Sequence, residues 1–241
     1  MEKVTSIQAG VEKLLKIRGR EVPAFRLEAR REEDFVDTLV WDGHAIPLFS
    51  SRYEPRIRAV AGYGSKPEDN SALNVYSFVG SDISLDRLIY RELDIAEFIL
   101  HSKIKKITAF TNRNAVNLIA IMENGTSANI DLGNTMQPGA HYQCQHRLIT
   151  NHGMANDLGV TDMTIQHQLY VFGAEGTSIF DDDEYYLYGL NEEEVAKVLT
   201  IHAVITGHVD WSQWAQNDIR YRRMIAAVYE SSEQGRPVYL D

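Results

Sequence analysis

Alternation constrains this chain more than any other feature, and it is clearest between Ile104 and Gly133. Val116, Leu118, Ala120 and Met122 alternate with their neighbours, and Ala128, Ile130 and Leu132 alternate with Ser127, Asn129 and Asp131. A period of two marks a strand with one buried face. With IKKITAF before them, these runs read as three consecutive strands. Asn124-Gly125 lies between the last two, where a type I′ turn would need positive φ at both central residues. The expectation is a predominantly antiparallel open sheet with one apolar face, in an α+β fold whose helices pack on that one face.

The flanking sequence supplies those helices. Ser84 to His101 has helical spacing, with Ser84 as cap, Asp86 in the first turn, and Leu85, Leu88, Ile89, Ala96, Ile99 and Leu100 as its buried stripe. Asn191 with Glu194, and Asp210 with Gln213, have the spacing of capping boxes that open two closing helices. Gly235 and then Pro237 end the second, before a short strand at 238–240. A first helix is expected over 5–18. Strands are expected at 21–27, at 37–49 broken at Trp41-Asp42-Gly43, at 57–61, 140–150, 163–172 and 177–180. Residues 151–159 read as a loop, and Asp181-Asp182-Asp183 as a solvated turn. The Gly-, Pro- and charge-rich stretch at 62–71 marks a boundary, dividing an N-terminal segment of unassigned fold (1–75) from a sheet domain (76–241).

Composition narrows the function. Lys and Arg number 24 against 34 Asp and Glu, a net charge of -10. Phosphate-backbone binding rests on clustered cations, so a nucleic-acid partner is not expected. The single cysteine, Cys144, precludes an internal disulfide framework. No apolar run has the length of a membrane span, and the N-terminus lacks the apolar core of a signal peptide. The expected location is cytoplasmic.

The close, YESSEQGRPVYL, is similar to the ending of the Gfo/Idh/MocA oxidoreductases, sugar and inositol dehydrogenases with an N-terminal Rossmann domain and a C-terminal α/β sheet domain. RELDIAEFILHSKIKKITAF resembles their helix that carries an HxxD element and leads into the sheet. AVNLIAIMENGTSANIDLG resembles the hairpin that follows, and EYYLYGLNEEE is in keeping. The resemblance covers roughly residues 80–241, the C-terminal domain only. No GxGxxG turn, which would hold a pyrophosphate on backbone amides, occurs in the chain. Lys66-Pro67 echoes the family's Glu-Lys-Pro, but with Ser65 in place of the Glu and too close to the helix. Arg91 occupies the family's catalytic histidine position, three before Asp94, and Arg87 stands where an Asp is common. Arginine cannot exchange a proton at neutral pH, so it cannot serve as general acid or base; it can grip a carboxylate or phosphate.

The candidate binding residues are Arg87, Arg91 and Asp94, which share one helix face by spacing, and His146, His152, Asn156 and Asp157, placed where a strand passes into a loop. The blander readings are a surface charge cluster for the helical set and a solvent-facing edge strand for 140–152. No metal-ligand spacing is present among these residues. His202, on an apolar stripe, reads as a satisfied core histidine, and Cys144 as a small buried hydrophobe. The resemblance implies an oxidoreductase-type subunit or domain for a carbohydrate-like substrate. It would bind no cofactor alone and would take NAD(P) from a partner Rossmann-containing subunit. The alternative is a non-catalytic binding or scaffold protein derived from a dehydrogenase. Either reading expects the sheet face to be covered, by a homo-oligomer or a partner.

Overall fold

The computed structural model describes residues 2–66, 69–140, 143–157, 168–173, 176–181 and 190–240. The chain divides into two compact units: residues 1–55 with 182–220, and residues 56–181 with 221–241. A boundary at 75/76 would cut a central strand. The observed division instead joins residues 1–55 to residues 182–220, and the chain returns to the second unit at Tyr221.

In the first unit, α1 (Glu2–Ile17) buries Ile7, Val11, Leu14 and Leu15. A three-stranded antiparallel sheet follows: β1 (Phe25–Glu28), β2 (Thr38–Trp41) and β3 (His44–Pro47). Asp42 and Gly43 join β2 to β3 with φ of 49° and 75°, the two positive values that a type I′ turn requires. A 3₁₀ turn (Ser50–Tyr53) comes next. The helix α4 (Glu192–Ile205) carries the capping box that Asn191 and Glu194 spell. Gly10 lets α1 approach it closely, since a Cβ there would stand 2.9 Å from Val198 Cγ2. Lys197 on α4 lies 2.8 Å from both Asp37 and Glu193, which ties the hairpin to the helix.

The second unit opens with α2 (Pro55–Tyr63) and the long strand β4 (Asn70–Gly80). Then come α3 (Leu85–Leu100), β5 (Ile104–Thr111), β6 (Ala115–Met122) and β7 (Ser127–Met136). The strands β8 (Gln143–Thr150), β9 (Gly153–Asp157), β10 (Gln168–Gly173) and β11 (Gly176–Asp181) extend the sheet. The helix α5 (Trp214–Gln234) starts in the first unit and continues into the second, where it leads to β12 (Val238–Tyr239). The sheet order is β11-β10-β9-β8-β4-β7-β6-β5-β12. Its described pairs are antiparallel except β4 with β7. The fold is therefore α+β, with a mostly antiparallel sheet. Its core face presents Leu73, Val75, Ile107, Leu118, Ile130 and Leu148. Tyr229 on α5 donates to Asp86 at 2.6 Å, and Tyr221 donates to Glu97 at 2.8 Å, joining α5 to α3 on that side.

Several expectations are corrected. Residues 57–61 are helical: Pro55 suits a first helical turn, and Ile57, Val60 and Ala61 fall at one buried face by i, i+3, i+4 spacing. Residues 153–157, read as loop, form β9. At Asn124-Gly125 only Gly125 has positive φ, 88°. Its amide donates to Met122 O at 3.1 Å, the i to i+3 bond of a tight turn, while Met122 N donates to Thr126 O at 2.9 Å. This longer connection needs a single left-handed residue. Asp210 accepts from Ser212 N at 2.9 Å, so it closes a local turn, and the helix starts at Trp214. The expected strand from 140 is observed from Gln143. Tyr142, residues 163–167 and Asp182-Asp183 lie outside the described residues, as does Pro67.

Candidate functional site

The helix α3 is buried on more than its apolar stripe. Glu92 follows Leu88 by four residues and precedes Ala96 by four, so it points with them into the sheet, and it is 0% exposed. Directly beneath it are Ser77 on β4 and His146 on β8, each also 0% exposed. His146 pairs in register with Asp157 on β9, again 0% exposed. These side chains form one connected set. Ser77 Oγ donates to Glu92 Oε1 at 2.9 Å. His146 Nε2 lies 2.8 Å from Glu92 Oε2, and its Nδ1 lies 2.8 Å from Asp157 Oδ2. The His146 backbone amide donates to Asp157 Oδ1, and Arg91 donates to Glu92 Oε1.

Ionised carboxylates only accept hydrogen bonds. With a carboxylate at each ring nitrogen, both nitrogens of His146 donate, and the ring is an imidazolium. Burial works against that charge, but the Asp157 and Glu92 carboxylates outweigh it and push the pKa up to about 9. Two carboxylates, one imidazolium and one guanidinium sum to zero net charge. Buried ions tolerate the interior only when paired and hydrogen-bonded in this way. Burial pushes the neighbouring Cys144 thiol up, which leaves it an unreactive thiol.

The residues singled out in the sequence are distributed as follows. Arg91, His146 and Asp157 come together in the buried set. Asp94, 2% exposed, is on the same helix, and Arg87 is half-buried in its first turn, where its backbone amide donates to the Ser84 cap. Asn156 alternates to the opposite face from Asp157 and accepts from Gln145 Nε2 at 3.0 Å. His152 stands apart: its side chain is 69% exposed, and Nε2 lies 3.2 Å from Asp69 Oδ2. Glu92 and Ser77 were not anticipated. The signal for both was a polar residue at a core position of the period, one on the helical stripe and one on the strand alternation. His202 is not the satisfied core histidine expected. It is half-buried near the end of α4, and its buried Nε2 makes no hydrogen bond. Among the described residues no group of three or more His, Cys, Asp or Glu is arranged to hold a metal ion.

The other face of the sheet is open. On it Tyr76, Phe110, Ile119, Ile149 and Phe172 are each more than a third exposed. Gln143, Gln145 and Arg147 share this face, while Cys144, His146 and Leu148 point to the core. A groove of about 450 Å³ crosses it between Tyr76 and Phe110. Among the described residues no helix is long and apolar enough to cross a membrane.

The fold is shared with several solved oxidoreductases. An oxidoreductase from Agrobacterium radiobacter, solved with NAD+, L-tartaric acid and magnesium, superposes with a TM-score of 0.61 at 17% identity, over 79% of this chain and 63% of that one. Levoglucosan dehydrogenase, in complex with NADH and L-sorbose, gives 0.63 at 12% identity, over 80% and 65%. An NAD-binding oxidoreductase from Klebsiella pneumoniae gives 0.64 at 13%, over 80% and 65%. The chain thus spans less than two thirds of these proteins' lengths. No protein-family model matches it, and no curated protein sequence does.

Proposed function

We propose that this chain is an oxidoreductase-type subunit or domain that holds a carbohydrate-like substrate and takes its nicotinamide cofactor from a partner chain. The observation that carries this reading is the dehydrogenase-type sheet with Arg91, and not a proton-exchanging side chain, beside Asp94 on α3. The buried carboxylates anchor Arg91 at Glu92, and Arg87 lies one helical turn before it. A guanidinium pair on one helix face suits the carboxylate of a polyhydroxy acid. L-tartaric acid, bound to one of the similar proteins, is such an acid, while L-sorbose, bound to another, is polyhydroxylated without a carboxylate. His146 cannot serve as the acid or base, because both its nitrogens are engaged and no solvent reaches it. Proton transfer at such a site falls to the partner chain. His152 and Asn156 do not share this site: His152 stands apart beside Asp69, and Asn156, 6% exposed, is on the sheet face opposite Asp157.

A second reading is favoured by the open sheet face with its exposed Phe110 and Ile119. In it the chain is a non-catalytic scaffold derived from a dehydrogenase, and the sheet serves to join a second copy or a partner enzyme. Exposed apolar patches on this scale mark interaction surfaces.

Nucleotide fluorescence separates the two. The pure chain is titrated with NADH and NADPH, alone and with a co-purified Rossmann-containing partner, and then with sugar acids. Nucleotide binding only in the mixture, with hydride transfer that Arg91→Ala abolishes, is the expected result. Stable oligomers with no turnover in any mixture overturn the subunit reading in favour of the scaffold.

A further inference from the structure

We infer that Asp157, His146 and Glu92 form a positioning relay for Arg91, so that the protonation state of a wholly buried histidine sets how tightly the guanidinium holds a carboxylate at the surface. This deepens the reading in which Arg91 grips the substrate's carboxylate, and it rests on that reading.

The buried set has one outlet. The side chains of Ser77, Glu92, His146 and Asp157 are closed to solvent, whereas that of Arg91 is 18% exposed. Leu88, Glu92 and Ala96 point from α3 to the sheet, and Arg91 stands about 100° round the helix from Glu92. Its guanidinium reaches back to Glu92 Oε1, while Glu92 Oε2 takes the His146 ring at 2.8 Å. One carboxylate therefore separates the imidazolium from the guanidinium. A clamp that only joined α3 to the sheet would be complete with Glu92, His146 and Asp157. Arg91 adds a charge that meets solvent, and an anion arriving there meets the whole set through it.

The charge balance fixes the direction of the coupling. With His146 protonated, Asp157, His146 and Glu92 together carry one negative charge, Arg91 neutralises it, and an incoming carboxylate meets no net charge. Once the ring loses its proton, two negative charges stand behind Arg91 and oppose the anion. A neutral ring also donates from one nitrogen only, so one of its two carboxylates loses a hydrogen bond. The other groups around the ring leave this balance unchanged. β4 offers Ser77 and Val75, the latter in register with His146, and neither titrates in this range. On β8 burial keeps the Cys144 thiol neutral, and Arg56 of α2, which acts on that thiol together with Arg91, keeps its charge. Arg87 and Asp94 lie further along α3. The two carboxylates hold the ring's proton up to about pH 9, so the weakening of anion binding falls above neutrality. By linkage, a bound anion holds that proton more tightly by the same factor.

The test is calorimetric titration of the full chain with D-gluconate, and with sorbitol as its uncharged counterpart, from pH 7 to pH 10. The His146 ring nitrogens are followed by NMR, and circular dichroism confirms that each variant is folded. Gluconate should bind at least about tenfold more tightly than sorbitol, and Arg91→Ala should remove the difference. The gluconate dissociation constant of the wild-type chain should rise at least about threefold over this range, in step with the His146 titration. Asp157→Asn keeps the shape but takes one carboxylate from the ring, so the same rise should come at least about half a pH unit lower. A purely structural contact would not move that midpoint. In His146→Gln the profile should be flat, with the affinity at pH 7 already reduced. If gluconate binding needs Arg91 but is flat with pH in the wild-type chain, or if Asp157→Asn leaves the midpoint in place, the relay is overturned and the Arg91 site stands. If gluconate does not bind, or binds no better than sorbitol, or if Arg91→Ala changes nothing, the carboxylate reading of Arg91 falls and the relay falls with it.

Discussion

His146 on β8 and Glu92 on α3 share a contact of 2.8 Å, and neither side chain is open to solvent. With Asp157 on the far side of the ring, this contact bolts α3, which packs over β4 and β7, to a strand beyond them. Its removal should be felt throughout the second unit. His146→Leu leaves two buried carboxylates facing each other across an apolar side chain, and the loss of one partner from a buried ionic set costs about 3–5 kcal/mol. Urea unfolding followed by circular dichroism should show the midpoint falling accordingly. Glu92→Gln keeps the shape and still leaves Asp157 beside the ring, so its loss should be smaller.

The same imidazolium gives a pH dependence of defined sign. An unperturbed histidine titrates near pH 6.5, and in the folded chain His146 titrates at about 9. The folded state holds its proton more tightly than the unfolded state does. The stabilisation is therefore complete below about pH 6.5 and is lost as pH rises through 9. Its full size is on the order of 3 kcal/mol. Urea midpoints compared between wild type and His146→Gln should converge between pH 6.5 and 9. A difference that is flat across this range would show that the ring is neutral.

A backbone site offers a sharper break. Gly153 begins β9 with φ of 148°, and a Cβ there would stand 2.2 Å from Phe172 O and 2.8 Å from the Tyr63 hydroxyl. The backbone angle alone costs an L residue about 1–3 kcal/mol, and the carbonyl cannot rotate away without breaking the β9–β10 pairing. Gly153→Ala should lower the thermal midpoint and speed hydrogen exchange in β9 and β10, while exchange in β5 and β6 is unchanged.

The sheet edge at β5 provides a local test. Ser231 Oγ accepts from Ala109 N at 3.0 Å, and Ser232 Oγ accepts from Thr111 N at 2.8 Å. The Ile107 position is paired by Val238 of β12. Ser231→Ala leaves a buried amide without its acceptor, a loss of about 1–3 kcal/mol. Amide exchange should quicken at Ala109 and hold at Ile107. Since unpaired edges recruit other chains, the Ser231→Ala, Ser232→Ala double variant should also aggregate more readily on heating.

What could be read in advance follows from how each residue's period met its surroundings. β5 to β7 were legible because their core residues are apolar and their other face is mixed, so the alternation is clean. α3 was legible from its stripe and from Ser84. β4 was missed because both of its faces defeat the pattern: Tyr76 and Phe78 are apolar on the open side, and Ser77 is polar on the core side. β9 reads as loop in Gly-Met-Ala-Asn-Asp because its inward residue is Asp157, a buried acid needed by His146. The candidate site failed to appear in sequence for the same reason. Arg91, His146 and Asp157 were singled out, but the group joining them is Glu92, a charged residue that an apolar stripe leaves out. Only its four-residue spacing to Leu88 and Ala96 placed it inward. His152 and Asn156, adjacent in sequence to that set, were separated from it by the turn into β9 and by the pleat.

β4, the middle strand of nine, has consequences for the order in which the chain assembles. Its neighbours are β7, which begins at Ser127, and β8, which ends at Thr150. As the chain leaves the ribosome, β4 emerges early and finds nothing to pair with until those later segments follow. The β5–β6–β7 meander, joined by short turns, can close first, because nearby contacts form sooner than distant ones. The strand at the centre of the finished sheet is thus docked late, carrying with it the serine that completes the buried ionic set. A nascent chain arrested before residue 150 should protect the meander from proteolysis and leave the tract around Leu73 to Val79 open to cleavage.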